Sequence, residues 1–165
     1  MVALQGPLAC SLLVPHIERA GGRELADLGY YRIARATVNL TGSAVDGWIS
    51  RTGYTGEDGF EIYLPSQHAE ATFDALVQLS DEVQPCGLGC HDSLRLDPGM
   101  PLYGHEPDEN LDPIGAGLSF GVALDKEGGF IGQQALRTIA AHGPTQNLRG
   151  FVVEGRRPAR QGATI

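Results

Sequence analysis

The sequence predicts an α+β fold: an antiparallel sheet with helices on one face, with the split βαβ, ferredoxin-like character of small layered domains. Three observations carry that expectation. Residues 30–40 alternate strictly, with Ala34, Ala36, Val38 and Leu40 on one side and Arg35, Thr37 and Asn39 on the other, the signature of a half-buried strand. The next apolar runs are joined by glycine-rich turns rather than by helical crossovers, which is hairpin logic. After Pro65 the period changes: Ala69, Phe73, Leu76 and Val77 recur at helical spacing and suit a helix covering the sheet.

Taken in order, the short apolar run "MVALQGP" comes first, and Pro7 suits the first turn of a helix that runs through "PLACSLL" until Pro15 interrupts it. "GRELADLG" reads as a further short helical piece. The alternating strand follows, and "TGS" marks a turn. Strands are expected at Trp48–Thr52 and Phe60–Leu64. Ser66 is a candidate N-cap for the next helix. The expected order to this point is β-α-β-β-α. Further on, "LSFGVAL" reads as a strand, "GGFIGQQALRTIAAHG" as a helix closed by Gly143, and "LRGFVVEG" as the start of one more strand. Glycine supplies 23 of 165 residues, about twice the average share, which favours turns and close backbone approaches over a helical bundle. Three segments are expected: a core over 1–85, a second segment over 86–146 that completes the site, and the start of a barrel-like domain over 147–165, cut short.

Charge excludes some functions. The formal net charge is −8 and no basic stripe is visible, so nucleic acid is not an expected partner. An anionic membrane surface would repel the chain, and no apolar run is long enough to span a bilayer. The three cysteines, Cys10, Cys86 and Cys90, form no disulfide framework, so reduced thiols and a cytoplasmic location are expected.

The stretch "RTGYTGEDGFEIYLP", Arg51 to Pro65, concentrates the chemistry. If Phe60, Ile62 and Leu64 face the core, Glu61 and Tyr63 face outward. Glu61 is then either an ordinary solvated carboxylate or one presented to a ligand, where it would accept paired N–H bonds from an aminated heterocycle. Tyr54 could lay its ring on a flat ligand or simply pack the hairpin. Gly53, Gly56 and Gly59 match no dinucleotide or phosphate-loop pattern; turn chemistry is their expected role. His91 and His105 lie near Glu106, Asp108 and Glu109, but the spacing matches no metal site, and no metal is expected. Cys86 reads as a small buried hydrophobe rather than a nucleophile, and Asp92 with Arg95 as a surface pair on a helix.

"ALQGP" (Ala3–Pro7), the Arg51–Pro65 stretch, "CGLGCHDSLRLDPGMPLYGHEPDENLDPIGAGL" (Cys86–Leu118) and "FIGQQAL" (Phe130–Leu136) appear in that order. Together they resemble the aminomethyltransferase of the glycine cleavage system, the T-protein. The resemblance implies a folate-binding domain. It implies an enzyme that takes the aminomethyl group from the lipoyl arm of H-protein, releases ammonia and passes the one-carbon unit to tetrahydrofolate. It makes Glu61 the pterin-binding carboxylate, Tyr54 a wall of the folate site, and His91 the occupant of a position where the family has an arginine that contacts folate. It also departs at Gly115, where the family often has an acid. The family's catalytic aspartate has no counterpart in these residues, so none of them is assigned catalysis and the chain alone is expected to be inactive. Two rivals are a sarcosine or dimethylglycine dehydrogenase-like folate domain, motivated by His91, and a non-catalytic folate-binding scaffold.

Overall fold

A computed structural model describes residues 1–156 and Gly162. The chain separates into two compact units, Met1–Met100 and Pro101–Ile165. The first holds strands β1 (Val2–Gln5), β2 (Ile17–Arg19), β3 (Ile33–Val38), β4 (Val45–Ser50) and β5 (Gly59–Tyr63). It also holds helices α1 (Ala9–Leu13), α2 (Ala69–Val77) and α3 (Leu88–Leu96). The strands form one five-stranded sheet in the order β1-β5-β4-β3-β2, every neighbour antiparallel. This is the α+β class that alternation predicts.

Side-chain period builds the core directly. Ala36 and Val38 of β3, Ile49 of β4, and Phe60 and Ile62 of β5 are buried on one face. Leu13 of α1 and Leu76 of α2 close over them in a single cluster that also takes in Leu4, Ile17, Leu25 and Leu28. Phe60, Leu13, Ile49 and Ile62 are each 0% exposed, so the apolar transfer term is nearly complete at each of them. The opposite face carries Glu61, Tyr63, Trp48, Arg35, Thr37 and Asp46. Thr37 donates to Asp46 directly across the β3–β4 pair at 2.8 Å. Arg35 lies over the Trp48 ring at 5.2 Å in the same register.

Several details differ from the sequence expectation, each for a local reason. The order through α2 is β-α-β-β-β-β-α, and Ile17–Arg19 is a strand paired with β3 that was not expected; three residues are too few to show a period. "GRELADLG" supplies only the 3-10 turn Leu25–Asp27. Ser66 does not cap α2: it opens the 3-10 turn Ser66–His68, and α2 begins at Ala69 with no side-chain cap bond. The buried face of α2 is set by Thr72 and Leu76, while Phe73 is 44% exposed. An i, i+4 pair faces the sheet and its bulkier neighbour is rotated away.

In the second unit, "LSFGVAL" is not a strand. It contains the 3-10 turn Ser119–Gly121, and Phe120 is exposed. "LRGFVVEG" has no strand assigned to it, although Leu148 N–H donates to Gly115 O at 2.9 Å; a strand exists only where a neighbour takes its backbone groups along the run. The tail "RRPARQGATI" lies outside the described residues except for Arg156 and Gly162. The predicted helix is present as α4 (Gln133–His142), closed by Gly143 at φ 89, whose N–H reaches Ile139 O at 2.8 Å. Gly115 packs against the Gln146 carbonyl so tightly that a Cβ has no room, which excludes an acid in this backbone arrangement.

Candidate functional site

The loop between β4 and β5 is stapled at its base. Arg51 donates from Nε to Asp58 Oδ1 at 2.9 Å and from Nη2 to Oδ2 at 2.7 Å, the fork that suits a carboxylate. Its Nη1 donates to the carbonyls of Ala26 and Leu28, and its plane lies 4.8 Å from the Tyr30 ring centroid. The Arg51 guanidinium, chiefly by hydrogen bonding, holds the Asp58 carboxyl below its ordinary value, and the same bond raises Arg51 above its own. Arg51 is thus consumed in holding the loop.

Gln5 works from the other side. Its Nε2 donates to Thr52 O at 3.1 Å and to Phe60 O at 3.3 Å. The side chain runs so close to Gly53 and Gly59 that a Cβ on either would overlap it, and Gly56 is equally tight against the Pro98 ring. Only Gly56 of these has a positive φ, 77°. Gly53 and Gly59 are therefore glycines of close approach, and the turn-chemistry expectation is corrected for them.

Glu61 projects from β5 on the outward face, half-buried, opposite Ser50 on β4 and Ala3 on β1. Thr52 Oγ1 donates to its Oε2 at 2.5 Å, Tyr63 O–H donates to the same atom at 2.8 Å, and Ser50 Oγ lies 3.4 Å away. Ser50 and Thr52 hydroxyls are 2.6 Å apart. The carboxylate stabilises the neutral phenol, so Tyr63 titrates above its ordinary value. Glu61 is thus tied to the sheet face by neighbouring hydroxyls.

Tyr54 and His91 meet. Their rings stack with centroids 6.1 Å apart and planes 14° from parallel. Tyr54 rides on the stapled loop and His91 on α3, so the two elements are joined at this point. His91 also lines an apolar groove of about 430 Å³ beside β1, floored by Leu4 and Leu76 and walled by Leu12, Phe73 and Leu94. Glu61 belongs to a different set of neighbours, the hydroxyls of the sheet face.

Two further expectations are corrected. Arg95 is not at the surface: it is 2% exposed, bonds Asp92 Oδ1 through Nε and Nη2 at 2.8 and 2.6 Å, and caps the Met100 carbonyl at 3.1 Å. The i, i+3 spacing identified the pair but not that the guanidinium is sunk under the end of α3. Cys86 is exposed rather than buried; hydrogen bonding to Cys90 pushes its thiol up, which disfavours the nucleophilic thiolate. Among the described residues no group of three or more His, Cys, Asp and Glu side chains converges as a metal site would require. Sequence reasoning missed Thr52, Ser50 and Gln5. Alternation alone places Ser50 on the face of Glu61, provided the hairpin register is known; Gln5 has no local signal, since it acts 47 and 55 residues away.

Comparison with known proteins identifies what the chain is similar to. The model of the GCVT N-terminal domain matches residues 1–126. An aminomethyltransferase of Herpetosiphon aurantiacus is 48% identical over 165 residues, covering 100% of this chain and 43% of that protein. One from Symbiobacterium thermophilum is 44% identical over 168 residues, with the same 100% and 43% coverage. The crystal structure of glycine cleavage system aminomethyltransferase T from Bartonella henselae superposes with a TM-score of 0.55 at 39% identity, over 59% of this chain and 27% of that one. The chain thus spans well under half the length of these curated relatives. With a family model covering most of its length, the chain belongs to the GCVT N-terminal domain family.

Proposed function

We propose that this chain carries the tetrahydrofolate-binding part of an aminomethyltransferase of glycine cleavage. The whole protein would take the aminomethyl group from lipoylated H-protein, release ammonia and deliver methylenetetrahydrofolate in the cytoplasm. The observation that carries the reading is Glu61. A carboxylate on a sheet face, oriented by hydroxyl donors at 2.5 and 2.8 Å, is built to receive N–H donors from a flat heterocycle. It stands where the family resemblance puts the pterin carboxylate. Tyr54 supplies an aromatic wall, and His91, stacked on it, extends that wall. A histidine at this position offers ring area and a single N–H, not the fork an arginine would give. Folate affinity should therefore lean on Glu61 and on stacking.

No residue of the chain is assigned the role of the family's catalytic aspartate, so we expect the isolated chain to bind folate weakly and to transfer nothing. Calorimetric titration of tetrahydrofolate into the chain and into Glu61→Ala tests the reading. Binding that disappears in Glu61→Ala supports it. Equal binding by both proteins, or turnover of aminomethylated H-protein by this chain alone, contradicts it.

A further inference from the structure

Every hydrogen bond that Glu61 accepts from a described residue ends on Oε2. A hydroxyl has one proton to give. With Thr52 donating to Glu61 at 2.5 Å, Ser50 is the donor across the 2.6 Å Ser50–Thr52 contact, and its hydroxyl also stands within hydrogen-bonding range of Glu61 Oε2 and Tyr63. The hydroxyls therefore line up as a relay, Ser50 to Thr52 to Glu61, with Ser50 buried at its far end. Tyr63 closes on the same oxygen from β5 itself at 2.8 Å. Two strong donors occupy the lone pairs of Oε2, and the 3.4 Å Ser50 contact is the residue of the relay. Oε1 accepts from no described residue. Thr52 is fixed in turn, because Gln5 Nε2 holds its carbonyl at 3.1 Å.

We propose that Thr52 and Tyr63, with Ser50 behind Thr52, are positioning residues for Glu61: they lock Oε2 and leave Oε1 as the acceptor for the ligand's N–H edge. The proposal rests on the folate reading of the site for its ligand, and deepens it. It replaces a symmetric two-oxygen clamp by one fixed oxygen and one offered oxygen. A ligand is then selected by where its N–H vector meets Oε1, and a carboxylate already held in one rotamer needs no ordering when the ligand arrives.

Two measurements on the chain test this, one with ligand and one without. In tetrahydrofolate titrations, Thr52→Val and Tyr63→Phe should each weaken binding about tenfold, the usual cost of one hydrogen bond to a charged group. Thr52→Ser should bind as the parent does, since it keeps the hydroxyl. In the absence of ligand, ring-carbon NMR of Tyr63 reads the network itself. The phenol should titrate above its ordinary value in the parent chain and in Thr52→Ser, and fall back toward that value in Thr52→Val as Glu61 swings free. Unchanged affinity in Thr52→Val, or an unchanged Tyr63 titration in that variant, overturns the proposal. A Tyr63 titration that drops in Thr52→Val, with no folate bound by any of the proteins, upholds the positioning role and counts instead against the folate reading.

Discussion

At the scale of single residues, the stretch from Arg51 to Glu61 assigns each polar group one task. Arg51 and Asp58 are both mostly buried, with side chains 18% and 22% exposed, and they meet at 2.7 Å. Removing one partner strands the other, so Arg51→Ala should lower unfolding free energy by about 2 kcal/mol in urea titrations, the scale of hydrogen bonds to charged groups. The same pair sets an acid limit. Asp58 has a depressed folded value. Its contribution is therefore complete above the ordinary aspartate value and is lost as pH falls through the lower, folded value. In Asp58→Asn the acid limb of the stability–pH curve should flatten; a curve identical to the parent's would show that the pair contributes no proton linkage. Tyr63 is the opposite case: its value is raised, so its contribution holds below the ordinary tyrosine value and fades as pH rises through the folded one. The outward direction of Glu61 was legible from alternation. Its hydroxyl partners were not, because they depend on the β4–β5 register and on a loop conformation set by Gln5, far away in sequence.

At the scale of elements, periodicity identified strands wherever a neighbour exists to pair them. β3 and β5 were legible because each has five or six residues and one buried face; β4 was found but misplaced, expected at Trp48–Thr52 and observed at Val45–Ser50. β2 was not, at three residues, and "LSFGVAL" and "LRGFVVEG" have strand composition without a paired strand. Helix phase was the subtler failure. Thr72 rather than Phe73 turns inward, so Leu76→Ala should cost about 2–4 kcal/mol while Phe73→Ala should stay under about 1 kcal/mol. Comparable losses at both positions would mean that the helix packs in another phase. The glycines of the β4–β5 loop allow a sharper test. At Gly53 the nearest atoms to an added Cβ all belong to the Gln5 side chain, whereas at Gly59 they include the Gln5 backbone. Both Gly53→Ala and Gly59→Ala should destabilise by more than about 1 kcal/mol. Adding Gln5→Ala should relieve the first and not the second, as a coupling energy in a double-mutant cycle. Equal relief at both would place the obstruction elsewhere.

At the scale of the molecule, the buried apolar cluster and the site share one compact unit. Every residue of that cluster, from Leu4 to Leu76, lies within Met1–Met100. So do Glu61, Tyr54, His91, Gln5, Thr52 and Tyr63. The five strands and the helices that cover them supply a sheet with one dry face and one wet face, which is sufficient for independent folding. A chain of residues 1–100 should therefore unfold cooperatively, with a urea midpoint close to that of the first transition of the 165-residue chain. It should also keep the elevated Tyr63 titration, since the whole hydroxyl network is internal to it. A molten product, with native-like secondary structure but no cooperative transition, would mean that the second unit supplies packing that the sheet cannot do without.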